Sequence, residues 1–150
     1  MTGFQPRDPG YAEKVRESLH RQGFAKLLGY DTGRIEPGFV EIVCPMDPKL
    51  AQQHGFAHGG VIATLADAAA AYAAFSLMPE DSAPLTVEMK INLMAPGKGE
   101  TLIARGTVLK PGRTLTVCEA KVAAVTGGEE TLIATALVTM ICLDGRPDTA

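Results

Sequence analysis

The chain has 150 residues, of which 46% are hydrophobic and 21% are charged. That composition is typical of a folded globular domain rather than of a disordered or low-complexity chain. Its net charge of -3 and its aromatic content of 5%, without tryptophan, argue against nucleic-acid binding, which needs a basic surface or stacking rings. We therefore expect a single domain over residues 1–150 and no nucleic-acid partner.

The cysteines indicate the cellular compartment in which the protein is expected. Their number is odd, and Cys44, Cys118 and Cys142 each lie in or beside an apolar segment that reads as a strand. This pattern is typical of buried, reduced thiols, so we expect a cytoplasmic protein. The N-terminal segment mixes charges and prolines and contains no apolar run, so no secretory signal is expected.

Ahead of the most apolar segment, the chain predicts a short helix and a hairpin. Residues 9–21 place an apolar side chain at every fourth position after Pro9, which is the spacing of an amphipathic helix. Residues 30–44 contain two β-prone runs on either side of Pro37-Gly38, a strong turn signal. A polar loop over 47–54 follows.

The most apolar segment spans residues 61–78 and carries one carboxylate in its interior, Asp67. A carboxylate at the centre of a bilayer costs about 2.5–3.5 kcal/mol on insertion scales, and the many alanines of this segment offset little of that. We therefore interpret the segment as a long helix buried in a folded domain, and we expect no membrane partner.

After Pro79 the period of the apolar residues changes from that of a helix to that of strands. Four strands are expected, at 87–93, 101–110, 114–125 and 131–142. The last three are joined by short turns, which predicts an antiparallel meander. The predicted fold class is therefore α+β, with an antiparallel sheet of about six strands packed against the long helix. Because that helix is apolar nearly all round, a second copy of the chain is expected to cover the rest of it.

Asp67 is the only formally charged residue between Lys49 and Glu80. On a helical wheel it falls within a stripe of small residues, where a backbone or a ligand could approach closely. The ordinary interpretation is a helical carboxylate that faces solvent. Against it, no Lys or Arg stands three or four residues away, and a buried, unpaired carboxylate is costly and typical of active sites. We therefore predict a catalytic role for Asp67.

A glycine pair, Gly59 and Gly60, opens this helix. Free N–H groups at the positive end of a helix dipole suit a polarised carbonyl or an oxyanion. The alternative is that the two glycines only permit tight packing. His58, directly before them, is either a base or a hydrogen-bonded structural group, and His54 is a weaker candidate.

Two motifs stand close together at the start of the helix, HGG and then LAD within HGGVIATLADAAAAYAA. With the preceding QQHGFA and the following TVEMKINLMAPGKGETLIARGTVLKPGRTLTVCEAKV, they resemble the PaaI-type acyl-CoA thioesterases of the hot-dog fold. The resemblance covers roughly residues 24–142. It implies a long helix wrapped by an antiparallel sheet, a homodimer with a continuous sheet, and commonly a tetramer built as a dimer of dimers.

The resemblance also implies roles for particular residues. Asp67 would be the nucleophile or the general base that activates water, and the N–H of Gly59 would bind the thioester carbonyl. Gln52, where many relatives have Asn, would help to bind the carbonyl or water. Thr86 matches a Ser or Thr that assists water in some members, and His58 matches a supporting His. In this family the carboxylate and the glycine amide of one site come from different subunits.

No cofactor is expected beyond the coenzyme A moiety of an acyl-CoA substrate, and no metal is expected, because the sequence has no cluster with metal-ligand spacing. A thioester is electrophilic enough for one carboxylate and a helix amide to suffice. Phosphates of coenzyme A require cations, and Arg113 at a hairpin tip is the preferred contact. The other basic residues between Lys90 and Lys121 are interpreted as an ordinary solvated strand face.

Two rival functions remain open. One is a non-hydrolytic acyl-CoA-binding or regulatory protein with a vestigial site, which the intact set of Gln52, Gly59 and Asp67 disfavours. The other is a hot-dog dehydratase or hydratase that acts on an acyl thioester, which the HGG motif before Asp67 disfavours. The leading hypothesis is an acyl-CoA thioesterase.

Overall fold

The computed structural model describes residues 3–149. Two short helices come first, and then a pair of strands: α1 (Tyr11–Arg21), α2 (Gly23–Leu28), β1 (Asp31–Glu36) and β2 (Phe39–Pro45). A 3-10 turn at Pro48–Leu50 precedes the long helix α3 (Gly59–Phe75). Four more strands follow it: β3 (Ser82–Leu93), β4 (Thr101–Lys110), β5 (Leu115–Thr126) and β6 (Glu129–Asp144).

The six strands form one sheet in the order β1-β2-β4-β5-β6-β3. Every neighbouring pair is antiparallel. The last three strands form the predicted meander, whereas β3 pairs with β6 and so becomes an edge of the sheet. The opposite edge is the shorter strand β1. A six-stranded antiparallel sheet around one long helix is the predicted α+β class and is the hot-dog fold.

Helix α3 packs against one face of this sheet, and its contacts with β2, β4 and β5 place it over the centre. Gly106 of β4 makes the close approach possible. A Cβ atom at that position would lie only 2.1 Å from the backbone oxygen of Ala69 in α3. No side chain fits there, so the helix and the sheet touch backbone to backbone at this point.

The helix bounds differ slightly from those predicted. α1 begins at Tyr11 rather than at residue 9, and α3 spans Gly59–Phe75 rather than 61–78. α3 ends early because the Ser76 hydroxyl donates a 2.6 Å hydrogen bond to the Ala73 carbonyl, after which the chain turns. α2 was not predicted, because six residues are too few to establish a helical period. Within residues 3–149, no helix is long and apolar enough to cross a membrane.

Candidate active site

The start of α3 is capped by the side chain of His58. Its Nδ1 accepts a 2.9 Å hydrogen bond from the Gly60 N–H, so in the neutral ring the proton is on Nε2. The Gly60 amide, which was predicted to bind substrate, is therefore already occupied. The N–H of Gly59 has no hydrogen-bond partner in the described part of the chain. The Gly59 N–H is thus free to donate a hydrogen bond to a carbonyl oxygen.

The loop that carries Gln52 is held by backbone hydrogen bonds. The Gln52 N–H donates to the Phe56 carbonyl at 2.8 Å, and the His58 N–H donates to the Leu50 carbonyl at 2.9 Å. Gln52 is half-buried at the base of this loop and lines a cavity of about 470 Å³ together with Met46 and Gly99. The loop therefore fixes Gln52 just ahead of the helix start.

Asp67 lies in the middle of α3 with its carboxylate partly open to solvent. Its Oδ1 accepts a 2.7 Å hydrogen bond from the Thr86 hydroxyl on β3. The structure thus brings together two of the predicted site residues. It also shows that the expectation of a buried, unpaired carboxylate was wrong for a single copy of the chain. Asp67 has a partner, and its side chain lies at the margin of the core rather than within it.

A β-bulge orients Thr86 toward the helix. The register of β3 against β6 shifts between Thr86 and Glu88, so Val87 is the extra residue of this edge strand. The hydroxyl of Thr86 also lies 3.5 Å from the Met140 sulfur. The alternation of residues 87–93 gave no sign of the bulge, because an extra residue interrupts the period only once the partner strand is known.

The bulge and the edge position also correct the predicted burial of β3. Met89 and Ile91 pack against the core as expected. Val87 and Leu93, assigned to the same buried face, are 52% and 55% exposed. Leu93 lies beside the helix start, since a Cβ atom on Gly59 would meet its Cδ1 at 3.0 Å. Sequence reasoning did not find this contact, which depends on the pairing of β3 with β6.

Gly59 and Asp67 of the same chain cannot act on one carbonyl group. Eight residues separate them in α3, and a rise of 1.5 Å per residue places them roughly 12 Å apart along the axis. A carbonyl oxygen and its attacked carbon need a donor and a nucleophile within about 3 Å of one thioester. Within one copy of the chain, the Gly59 amide and the Asp67 carboxylate are therefore two separate groups, too far apart to act on the same thioester.

The edge strand β3, which lies next to both groups, is open and apolar. β3 has twelve residues, hydrogen-bonds only on its β6 side, and exposes Leu85, Val87 and Leu93, with Met94 just beyond its end. Long apolar edge strands are templates for pairing with another chain. The other edge, β1, has only six residues and an irregular register between Thr32 and Ile35.

The phenol of Tyr30 lies near enough to the Asp67 carboxylate for the carboxylate charge to affect its pKa. Tyr30 is 5% exposed, and burial, followed by the negative charge of Asp67, raises the pKa of its phenol. The phenol donates a 3.2 Å hydrogen bond to the Gln22 side-chain oxygen. Sequence reasoning did not select Tyr30, because residue 30 was assigned only to the start of a hairpin.

The basic residues interpreted as a solvated strand face include two that form ion pairs. Arg105 forms hydrogen-bonded ion pairs with Glu41 at 2.9 Å and Glu130 at 2.6 Å, and Lys121 pairs with Glu119. Arg113 is exposed in the β4–β5 turn and lines a cavity at the far end of α3 from Gly59. Residues 3–149 contain no group of three or more His, Cys, Asp or Glu side chains that could hold a metal ion.

Known proteins share this fold and much of this sequence. A profile of the thioesterase superfamily matches residues 54–131. The crystal structure of a thioesterase family protein from Silicibacter pomeroyi superimposes with a TM-score of 0.88 at 49% identity, covering 89% of this chain and 98% of that one. A Halobacterium salinarum protein provisionally named as an esterase is 30% identical over 81% of this chain and 82% of its own length.

The acyl-coenzyme A thioesterase PaaI of Escherichia coli is 32% identical over 90 residues, which are 59% of this chain and 62% of that protein. The matched range of this chain, residues 54–131, includes the helix start at His58 and Gly59, the Asp67 carboxylate and Thr86. The chain belongs to the thioesterase superfamily, as a PaaI-like member with the hot-dog fold.

Proposed function

We propose that the protein is an acyl-CoA thioesterase, which hydrolyses the thioester of an acyl-CoA to a free acid and coenzyme A. The observation that carries the proposal is the Asp67 carboxylate, partly open to solvent and held by the Thr86 hydroxyl at 2.7 Å. No other charged residue interrupts α3. A carboxylate held in this way, on a helix whose first amide is free, combines an acid/base group with an oxyanion donor.

Two mechanisms fit this pair of groups. In one, Asp67 takes a proton from water as the water attacks the thioester carbon, and the thiolate of coenzyme A leaves. In the other, the carboxylate attacks first and releases the thiolate, and water then hydrolyses the mixed anhydride. In both, the Gly59 N–H donates to the carbonyl oxygen as negative charge develops there. Single-turnover hydrolysis in heavy-oxygen water identifies the second mechanism when label appears in the Asp67 carboxylate, which requires water to attack the Asp67 carbon of the mixed anhydride and to release the acyl group as the free acid.

The remaining predicted site residues act around this pair. Thr86 orients Asp67 or its water through the observed hydrogen bond, and Gln52 binds the carbonyl or water from the loop ahead of the helix. His58 supports the helix start through its bond to Gly60, and Arg113 contacts a phosphate of coenzyme A. The substrate itself brings the only cofactor moiety.

The working unit is a homodimer, which we propose assembles further into a dimer of dimers. Pairing of two β3 edges would cover the exposed Leu85, Val87 and Leu93 and would join two sheets into one. The Asp67 carboxylate of one copy would then meet the glycine amide of the second. The three thiols are free and buried, which supports a reducing compartment, and we propose the cytoplasm.

The test is release of free coenzyme A from a panel of acyl-CoAs, measured with a thiol reagent. Wild-type protein should turn over at least one member. Asp67→Asn and Asp67→Ala should lose at least about 100-fold in kcat, as expected when a positioned acid/base or nucleophile is removed. Asp81→Asn, which changes an exposed carboxylate outside α3, is the matched control and should keep wild-type activity. Near wild-type hydrolysis by Asp67→Asn would remove this residue from the mechanism.

A further inference from the structure

A cavity of about 360 Å³ lies at the C-terminal end of α3. Its floor is apolar, with Ala74, Leu77 and Met78 from the end of the helix and the turn that follows. Arg7, from the segment before α1, and Arg113, from the β4–β5 turn, line the same cavity. The two arginines are therefore brought together from positions more than a hundred residues apart in the sequence.

These two cations are the only charged residues among the described residues that line the cavity. Both are exposed, and neither has an ion-pair partner within residues 3–149. By contrast, Arg105 and Lys121 on the sheet are neutralised by glutamates. In a chain of net charge -3, two unpaired guanidinium groups at one cavity make a locally positive surface, which is suited to an anion.

The segment that carries Arg7 is anchored to the fold. Asp8 accepts a 2.7 Å hydrogen bond from the Gly10 N–H and forms a 3.1 Å ion pair with Lys14. The Lys14 ammonium also donates to the carbonyls of Met78 at 2.9 Å and Pro79 at 3.0 Å. The residue next to Arg7 is thus tied directly to the chain that leaves α3, so Arg7 has a defined position at the cavity.

A helix C-terminus would ordinarily repel an anion. Here Lys14 places a positive charge on the Met78 and Pro79 carbonyls, and the Ser76 hydroxyl binds the Ala73 carbonyl. The Cys142 thiol, which also lines the cavity, is affected by the charges around it. Burial raises the pKa of the Cys142 thiol, Asp144 adds to the rise, and the positive charges of Arg7 and Lys14 oppose it.

The cavity lies at a suitable distance from the Asp67 carboxylate. Ala74 follows Asp67 by seven residues in α3, which places the two on nearly the same side of the helix, about 10 Å apart along its axis. The pantetheine arm between a thioester sulfur and the first phosphate has the length of between four and five extended peptide residues, roughly 15 Å. An acyl-CoA held at Asp67 can therefore place its phosphates at the cavity.

We propose that Arg7 and Arg113 together bind the phosphates of the nucleotide end of the acyl-CoA substrate, with the apolar floor of the cavity against the base. The inference rests on the proposed thioesterase function. Arg7 lies outside residues 54–131, which match the superfamily profile, so this part of the site belongs to the N-terminal segment of this chain. Guanidinium groups bind phosphate in bidentate fashion, and two of them match two phosphates.

The first test compares acyl-CoA with the matching acyl-pantetheine, which lacks the nucleotide and its phosphates. For wild-type protein, kcat/KM should favour acyl-CoA by about 10- to 100-fold, mainly through KM. Arg7→Gln and Arg113→Gln should each reduce that preference by about tenfold, and added salt should reduce it as well. Lys26→Gln removes an exposed cation of α2 that does not line the cavity, and it should preserve the preference.

Two outcomes of this comparison overturn the inference. One is a wild type that does not prefer acyl-CoA. The other is a set of arginine variants that lose activity equally on both substrates, since a structural defect would not depend on the nucleotide. Thermal melting of each variant confirms that the exposed arginines have been changed without unfolding the chain.

Direct binding separates this inference from the proposed function. Titration calorimetry with adenosine 3′,5′-bisphosphate should show binding that Arg7→Gln and Arg113→Gln weaken about tenfold each and that Lys26→Gln leaves unchanged. Failure of the wild type to bind the bisphosphate, or equal binding of inorganic phosphate, would overturn the nucleotide subsite. If bisphosphate binding depends on both arginines but no acyl thioester is hydrolysed, the subsite stands and the thioesterase proposal fails.

Discussion

The two halves of α3 differ in composition and have opposite environments. Two of the nine residues from Gly59 to Asp67 are alanine, and five of the nine reach solvent. From Ala68 to Phe75 six of eight residues are alanine, and only Ala71 reaches solvent. The second half lies under the sheet, where Gly106 lets β4 approach the backbone of Ala69. The first half lies beside the open edge strand β3. One continuous helix thus contributes to the core over its alanine-rich half and lines the candidate site over the other half, according to which part of the sheet lies next to it.

The largest effect should come from the amide at the open end. Gly59→Pro removes the free N–H at the first helical position, where proline is well tolerated, and His58 already has the extended backbone that precedes proline, with φ -63° and ψ 137°. Because an oxyanion donor is lost, kcat should fall about 100- to 1,000-fold. Gly59→Ala keeps the N–H and meets only the flexible end of Leu93, so it should retain most activity. Equal kinetics for the two variants would exclude the amide from the mechanism.

A mixture of two inactive variants tests whether Gly59 of one copy acts together with Asp67 of the other. Co-refolded Gly59→Pro and Asp67→Asn chains form a mixed dimer in which one site carries both defects and the other carries none. Random assortment should restore about a quarter of wild-type turnover, whereas either variant alone stays inactive. No recovery in a mixture shown to contain mixed dimers would contradict a site shared between two copies.

In the buried half, the largest effect should follow from filling the helix–sheet contact. Gly106→Ala places a Cβ atom 2.1 Å from the Ala69 oxygen and 2.6 Å from the Ala70 nitrogen, and neither backbone atom can move alone. Overpacking of this kind should lower the free energy of unfolding by about 2–3 kcal/mol, measured by urea denaturation. Gly23→Ala, in α2 with open space around it, is the matched control and should be neutral or slightly stabilising.

A smaller loss of kcat is expected from changes at Thr86, whose hydroxyl contacts Asp67 in the solvent-exposed half of α3. Thr86→Val preserves the shape and removes the hydroxyl that donates to Asp67, so kcat should fall about tenfold as the carboxylate loses one charge-assisted hydrogen bond. Thr86→Ser keeps the donor and should recover most of the activity. A Val variant as active as the Ser variant would show that the bulge positions nothing the reaction needs.

The smallest effect is expected at Tyr72, in the buried half. Its phenol shares a 3.2 Å hydrogen bond with the Ser18 hydroxyl of α1, and both residues are buried. Tyr72→Phe should cost about 1 kcal/mol in the free energy of unfolding at neutral pH, with kcat unchanged. A measurable loss of kcat would contradict the separation of the two halves.

The same residue gives a pH dependence. Burial raises the pKa of Tyr72 from 10.0 to about 12, so the unfolded chain ionises first. The protonated Tyr72 phenol contributes fully to the free energy of unfolding below pH 10. That contribution is lost as pH rises toward 12, by at most about 1.4 kcal/mol per pH unit. The melting temperature, measured from pH 9 to 12, should therefore fall less steeply with pH for Tyr72→Phe than for wild type.

Much of the architecture followed from local pattern. The change of period after Pro79 and the short turns between the last strands predicted β4, β5 and β6 to within two residues at each end, because alternation and turn chemistry are local. The isolation of Asp67 in an apolar helix indicated the carboxylate for the same reason. The role that we propose for Arg7 could not be predicted in this way, since the cavity that it lines brings together segments far apart in the sequence.

The sequence by itself determined the α+β class, the helix with one carboxylate and the glycines before it, because spacing and side-chain type express these directly. Only the tertiary structure decided that β3 is an edge, that the bulge at Val87 turns Thr86 toward Asp67, and that this carboxylate is partnered and partly open. These properties depend on which strand pairs with β3 and on which side of β3 is left unpaired as an edge of the sheet. That choice is made by contacts between distant residues, which local periodicity does not record.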